Sequence, residues 1–107
     1  MIRIGVFATA LFTLCSCATF GQMDQGLDAL RGENIRTAFS VLGYPSRKEE
    51  FVGDTVYFWS NNRCIIKIGA DQYNTIKTYS YQGNLVGCEP YIFLLNDYYK
   101  SKQPSKK

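Results

Sequence analysis

Hydrophobic and polar residues follow three different spacings along this chain, and each spacing predicts a different element. A basic residue, Arg3, precedes a mainly apolar run over residues 4–14. Residues 24–31 carry Leu27 and Leu30 on one side, which suits a short helix ended by Gly32. The next stretch is clearer. Asn34 is a good N-cap, and Ile35, Ala38, Phe39 and Leu42 recur at i, i+3, i+4 and i+7, the stripe of a helix with one buried face. Gly43 then stops the helix and Pro45 prevents its continuation.

Residues 46–53 are polar, and the mixed charges of Arg47, Lys48, Glu49 and Glu50 read as a solvated loop. Residues 54–60, 63–70 and 75–82 are rich in β-branched and aromatic side chains and predict three strands of an antiparallel meander. Asn61-Asn62 and the segment from Asp71 to Asn74 supply the turns, because Asp starts turns and Asn tolerates positive φ. A two-residue turn at Asn61-Asn62 sets Trp59 opposite Cys64, Tyr57 opposite Ile66 and Thr55 opposite Ile68 on one face. Val56, Phe58, Ile65 and Lys67 fall on the other, so both faces are partly apolar. The third-strand register stays open, and with it whether Tyr79 and Tyr81 join Ile65 and Lys67. Gly83-Asn84 breaks that strand, and Gly87 lets the chain bend. Pro90 suits a first helical turn, and Tyr91, Leu94, Leu95 and Tyr98 give a stripe, so a closing helix is expected over 90–99. The fold class is therefore α+β: N-terminal helices, a three-stranded antiparallel meander and a C-terminal helix.

The N-terminal run changes the meaning of the cysteines. A cationic start, a short apolar stretch and small residues before a cut mark a secretory leader. Leu14-Cys15-Ser16-Cys17 resembles the lipobox of bacterial lipoproteins, in which the cysteine after the cut receives the lipid. Cys17 fits, with Leu14 three places before it; Cys15 would need cleavage after the bulky Leu14. A transmembrane anchor fits less well, since about a dozen apolar residues fall short of the roughly 20 that span a bilayer. The expected organisation is a signal peptide at 1–16, a lipidated tether at 17–23, a single domain at 24–99 and a basic disordered tail at 100–107. About 90 residues remain after cleavage, enough for one small domain, which often relies on a covalent staple. Export places Cys64 and Cys88 in an oxidising compartment, so they are expected to pair; zinc would want four ligands, and the chain has no histidine. The loop of about 25 residues so closed is worth roughly 3 kcal/mol in the chain-entropy account.

Charge and chemistry narrow the function by exclusion. Residues 17–99 hold nine acidic and seven basic side chains, whereas the last eight, KSKQPSKK, hold four lysines and no acid. A slightly negative exported body with no basic stripe does not suit nucleic acid. Without histidine, Ser-His, Cys-His and His-metal sites are excluded. Glu49-Glu50 lacks the marks of a positioned acid and base, Asp71 with Asn74 reads as turn chemistry rather than a calcium loop, and phosphate-binding glycine loops are missing. No enzyme, cofactor or metal is expected. Tyr57, Trp59, Tyr79 and Tyr81 are the candidate interface, because tyrosine and tryptophan are common interface anchors.

The segment Gly32-Glu-Asn-Ile-Arg-Thr-Ala-Phe-Ser-Val-Leu-Gly-Tyr-Pro45, followed by Val56-Tyr-Phe-Trp59, resembles the SmpA/OmlA (BamE-like) outer-membrane lipoproteins. In that family a glycine, a polar cap, a short amphipathic helix and Leu-Gly-x-Pro precede a three-stranded antiparallel sheet. The resemblance implies a two-layer α+β sandwich that accompanies the β-barrel assembly machinery. The Cys64 and Cys88 pair and the Asn84-x-x-Gly87-Cys88 ending depart from it and resemble another group of small proteobacterial lipoproteins. Ala18 after the anchor, with no aspartate there, resembles lipoproteins sent on to the outer membrane. The expected function is a non-enzymatic envelope protein, held in the outer membrane by lipid on Cys17, whose periplasmic domain binds a protein partner. The alternative is an inhibitor of an envelope hydrolase such as lysozyme, on a resemblance to the β-lactamase-inhibitor-like sandwich.

Overall fold

Thr19 starts the fold, two residues past the expected point of lipidation. The computed structural model describes residues 18–103, so the leader, Cys17 and the last four residues lie outside the described part. Thr19 Oγ1 accepts from the Gln22 amide at 3.1 Å, while the Thr19 amide donates to Gln22 Oε1 at 3.0 Å. This reciprocal cap satisfies two backbone donors and opens α1, Phe20–Leu30. Helix therefore occupies part of the segment expected to be a tether, and Ala18 is already buried at 4% exposure. Helix α2, Ile35–Leu42, follows the expected pattern: Asn34 Oδ1 accepts from the Arg36 amide at 2.9 Å, and Ile35, Ala38 and Leu42 are buried. Gly43 ends it at φ 88°, a conformation that a side chain at that position would oppose.

The sheet has four strands rather than three. β1, Arg47–Phe51, forms within the segment read as a loop. All five of its residues are exposed, so it carries no hydrophobic alternation. Backbone pairing alone makes it a strand, at an edge where charges discourage further pairing. β2, Asp54–Asn61, β3, Cys64–Ala70, and β4, Ile76–Gly83, complete an antiparallel sheet in the order β1-β2-β3-β4.

The β2–β3 turn is Asn62-Arg63, which places Trp59 opposite Ile66, Tyr57 opposite Ile68 and Thr55 opposite Ala70. Asn61 belongs to the strand because its side chain has two other tasks. Its Oδ1 accepts from the Arg63 amide at 2.8 Å and its Nδ2 donates to the Gly87 carbonyl at 2.8 Å. The pairing lies two residues from the expected one, and an even slip leaves every side chain on its expected face. In β4, Tyr81 pairs with Ile66 and Tyr79 with Ile68, so both tyrosines share the face of Trp59 rather than that of Lys67.

Helix α3, Leu85–Lys102, begins before Pro90 and runs past Tyr99 into the basic tail. Asn84 caps it, accepting through Oδ1 from the Gly87 amide at 2.7 Å. Pro90 consequently sits inside the helix and removes one i→i−4 bond. Lys100 and Lys102 fall in the last turn, where positive charge opposes the helix dipole. The three helices cover one sheet face, and the core between them includes Met23, Leu27, Ile66, Ile68, Ile92 and Leu95. Cys64 and Cys88 are bonded and buried within it, at a Cα separation of 5.0 Å.

Helices α1 and α3 touch backbone to backbone, because a Cβ on Gly26 would lie 2.6 Å from the Leu95 carbonyl oxygen. Gly26→Ala is expected to overpack this contact and cost about 1–3 kcal/mol in equilibrium denaturation. Gly21→Ala, exposed in the same helix, should instead stabilise by about 0.5–1 kcal/mol. Equal effects of the two would contradict the packing described.

Candidate functional site

The four aromatic residues expected at an interface lie on the sheet face that the helices cover. Trp59 is core, at 2% exposure, and its Nε1 donates to the Gly43 carbonyl at 2.8 Å. This bond ties the end of α2 to the middle of the sheet. Phe39 packs edge-on against Tyr57 at 5.4 Å and lies 6.2 Å from Trp59. Tyr81 stacks on Phe20 at 5.6 Å and donates from its hydroxyl to Asp24 Oδ1 at 2.7 Å. Tyr57, Tyr79 and Tyr81 are half-buried and pack against the core, and none faces away from the helices.

The opposite face of the sheet has no helix on it. There Val56 and Ile65 are half-buried, and Phe58 is only 7% exposed. Its cover consists of two cations. The Arg47 guanidinium lies 3.8 Å from the Phe58 ring centroid, and the Lys67 ammonium lies 5.8 Å from it. Long basic side chains can shield an aromatic ring with their stems while their charged ends stay in water. Beside this centre, a cleft of about 210 Å³ is lined by Phe51, Val56, Gly69 and Thr78, among others. Sequence reasoning grouped Val56, Phe58, Ile65 and Lys67 on one face but missed Arg47, because it read the segment carrying Arg47 as a loop. No pattern in residues 47–51 signalled the strand, and Arg47, Glu49 and Phe51 come to share a face only once β1 pairs with β2.

The charged groups considered for catalysis are otherwise engaged. Glu49 and Glu50 are successive strand residues and point to opposite faces, paired with Arg47 and with Lys48 respectively, the latter at 3.3 Å. They do not form a carboxylate dyad. Asp71 Oδ1 accepts from the amides of Tyr73 at 2.9 Å and Thr75 at 3.0 Å, so that oxygen organises the β3–β4 turn. The hydrogen bond from Thr75 is the chief cause holding its carboxyl below the usual value. Among the described residues no group of three or more His, Cys, Asp or Glu side chains is placed to hold a metal ion. Among them too, no helix is long and apolar enough to cross a membrane.

No family model, curated protein or solved structure matches this chain.

Burial, followed by the hydrogen bond to Asp24 and that residue's charge, pushes the Tyr81 hydroxyl up to about 12. Both folded and unfolded chains keep this proton below the ordinary tyrosine value of 10.0, so its contribution to stability is complete there. Between 10.0 and about 12 the unfolded chain ionises first, and stability falls as pH rises. Tyr81→Phe is expected to remove the last tyrosine to ionise in a spectrophotometric titration and to flatten this alkaline fall. Loss of the signal from the ordinary tyrosine range near 10.0, with the last step of the titration kept, would contradict the Tyr81–Asp24 contact.

Proposed function

We propose that this chain is a non-enzymatic lipoprotein of the bacterial envelope, held at the outer membrane through lipid on Cys17, and that its open sheet face binds a protein partner. The observation that carries this reading is the uncovered face centred on Phe58. A helix-free sheet face with Val56, Phe58 and Ile65 at its centre and Arg47 and Lys67 above it has the composition of an interface core within a polar rim. A partner with a flat apolar patch edged by a carboxylate matches that surface, since its acid meets Lys67, Arg47 being paired with Glu49, while its apolar groups reach Val56 and Ile65. The leader, the lipobox and the buried disulfide support an exported address. The resemblance to the SmpA/OmlA (BamE-like) lipoproteins, carried by residues 32–45 and 56–59, supports a two-layer sandwich with a role in outer-membrane assembly or maintenance.

The test is crosslinking in intact cells that produce the full chain. Val56→Glu with Ile65→Glu is expected to abolish a specific crosslinked species, because two carboxylates would sit in the centre of the contact. Tyr73→Ser, at an exposed turn, should leave that species intact. Retention of the same species in the double variant would reject the open face as the binding surface.

A further inference from the structure

Helices α1 and α3 run side by side in the same direction. Gly26 meets Leu95 near their middles, and Glu33 Oε2 meets Lys102 Nζ at 3.6 Å at their ends. The two contacts, the second just past the end of α1, follow the same chain order in both helices, so the start of α1 lies at the same end of the domain as the start of α3. Two further contacts mark the same end of the domain. Phe20 stacks on Tyr81 near the end of β4, and the Asn84 amide donates to the Arg63 carbonyl at 3.2 Å. The start of the described chain, the Asn62-Arg63 turn and the first turn of α3 therefore form one end. The turns at 52–53 and 71–74 and the C-terminus of α3 form the other, about 27 Å away along α3.

Both ends expose apolar side chains, and the far end exposes more of them, in Phe51, Val52 and Tyr73, but it also carries Glu50, Asp54 and Asp71, so the first end differs in its charge. Leu85 and Val86 open α3 at 42% and 68% exposure, with no acidic residue in that first turn. Arg63 beside them has no acidic partner among the described residues. The nearest acid along α3 is Glu89, three residues past Val86, and Asp24 stands about a turn into α1. The chain also leaves this end without slack. Ala18 is buried and Thr19 is locked in its cap, so the described chain begins at a fixed point of this end.

We propose that this end is a membrane-seating surface, with Leu85 and Val86 entering the interfacial layer and Arg63 meeting the phosphates of an anionic bilayer. The proposal rests on the reading of Cys17 as the lipidated residue. Cys17 is the residue next to Ala18 in the chain, so lipid on it tethers this end of the domain to the bilayer, which is why the occupant is lipid rather than a protein. The seating makes the strands stand along the membrane normal and turns the open face containing Phe58 sideways, toward neighbours in the membrane.

The test uses the full lipidated chain, isotope-labelled and purified from bacterial membranes. It is placed in nanodiscs of phosphatidylethanolamine and phosphatidylglycerol that carry a gadolinium-chelated lipid. Loss of amide signals at 62–63 and 85–87, with signals at 52–53 and 71–74 kept, is the expected result. Uniform attenuation, or loss at the far end, overturns the seating even where flotation with vesicles shows that the anchor holds. Leu85→Ser with Val86→Ser should even out the attenuation without reducing flotation, and an unchanged pattern rejects the role of the pair. Cys17→Ser should lose flotation; a variant that still floats removes the anchor reading and the proposal with it. Protection of this end that appears only when other membrane proteins are reconstituted assigns it to a protein and equally overturns the seating.

Discussion

The bond between Cys64 and Cys88 is the constraint from which the rest of the structure takes its position. It joins the first residue of β3 to the end of the first turn of α3, and both sulfurs are buried in the core. A domain of this size buries a limited share of its surface, so one covalent link between sheet and helix is a large part of its stability. The surroundings are fitted to it. A Cβ on Gly87 would lie 2.7 Å from the Arg63 carbonyl oxygen, so a larger residue would push α3 off the β2–β3 turn. Asn61 then reaches across to the Gly87 carbonyl at 2.8 Å. Glycine for close approach, asparagine for the bridge and cysteine for the link thus act together within a few residues on each side.

Fixing α3 decides which sheet face is covered. With α3 held against β3, α1 packs beside it through the Gly26 contact, and α2 is secured through Trp59 and the Gly43 carbonyl. The helices use up the face that carries Tyr57, Trp59, Tyr79 and Tyr81. What remains free of helices is the reverse face, where Phe58 lies under Arg47 and Lys67. The same arrangement brings the start of α1, the Asn62-Arg63 turn and the first turn of α3 to one end. Covered face, open face and the end proposed to seat on the membrane therefore follow from one cross-link and the helix packing that it permits.

Much of this was legible in the residues. The α2 stripe, its Asn34 cap and its Gly43 stop are local signals, and the structure follows each of them. The face assignment of β2 and β3 survived a misplaced turn because the slip was even. The turn itself was not legible, since choosing between Asn61-Asn62 and Asn62-Arg63 depends on a hydrogen bond from Asn61 to Gly87, 26 residues away. β1 was hidden for a related reason: an exposed edge strand such as Arg47–Phe51 is held by its neighbour's backbone and needs no hydrophobic pattern. The start of α1 was present in Thr19 and Gln22 but was read as a tether. Pro90 suggested a helix start, whereas Asn84 supplied the actual cap, and the helix tolerates the proline within it. The open face was half legible, because Val56, Phe58, Ile65 and Lys67 were grouped correctly while Arg47 belongs to the strand that was missed.

The central claim is that the disulfide holds α3 in place. Native-state hydrogen exchange on the full chain, oxidised and then reduced under the same conditions, tests it most directly. Reduction is expected to cost about 3 kcal/mol, roughly a hundredfold in protection, at α3 amides around Ile92 and Leu95 and at the first residues of β3. Protection in α3 that is the same with the bond reduced would contradict the account, because the helix would then be held by packing alone.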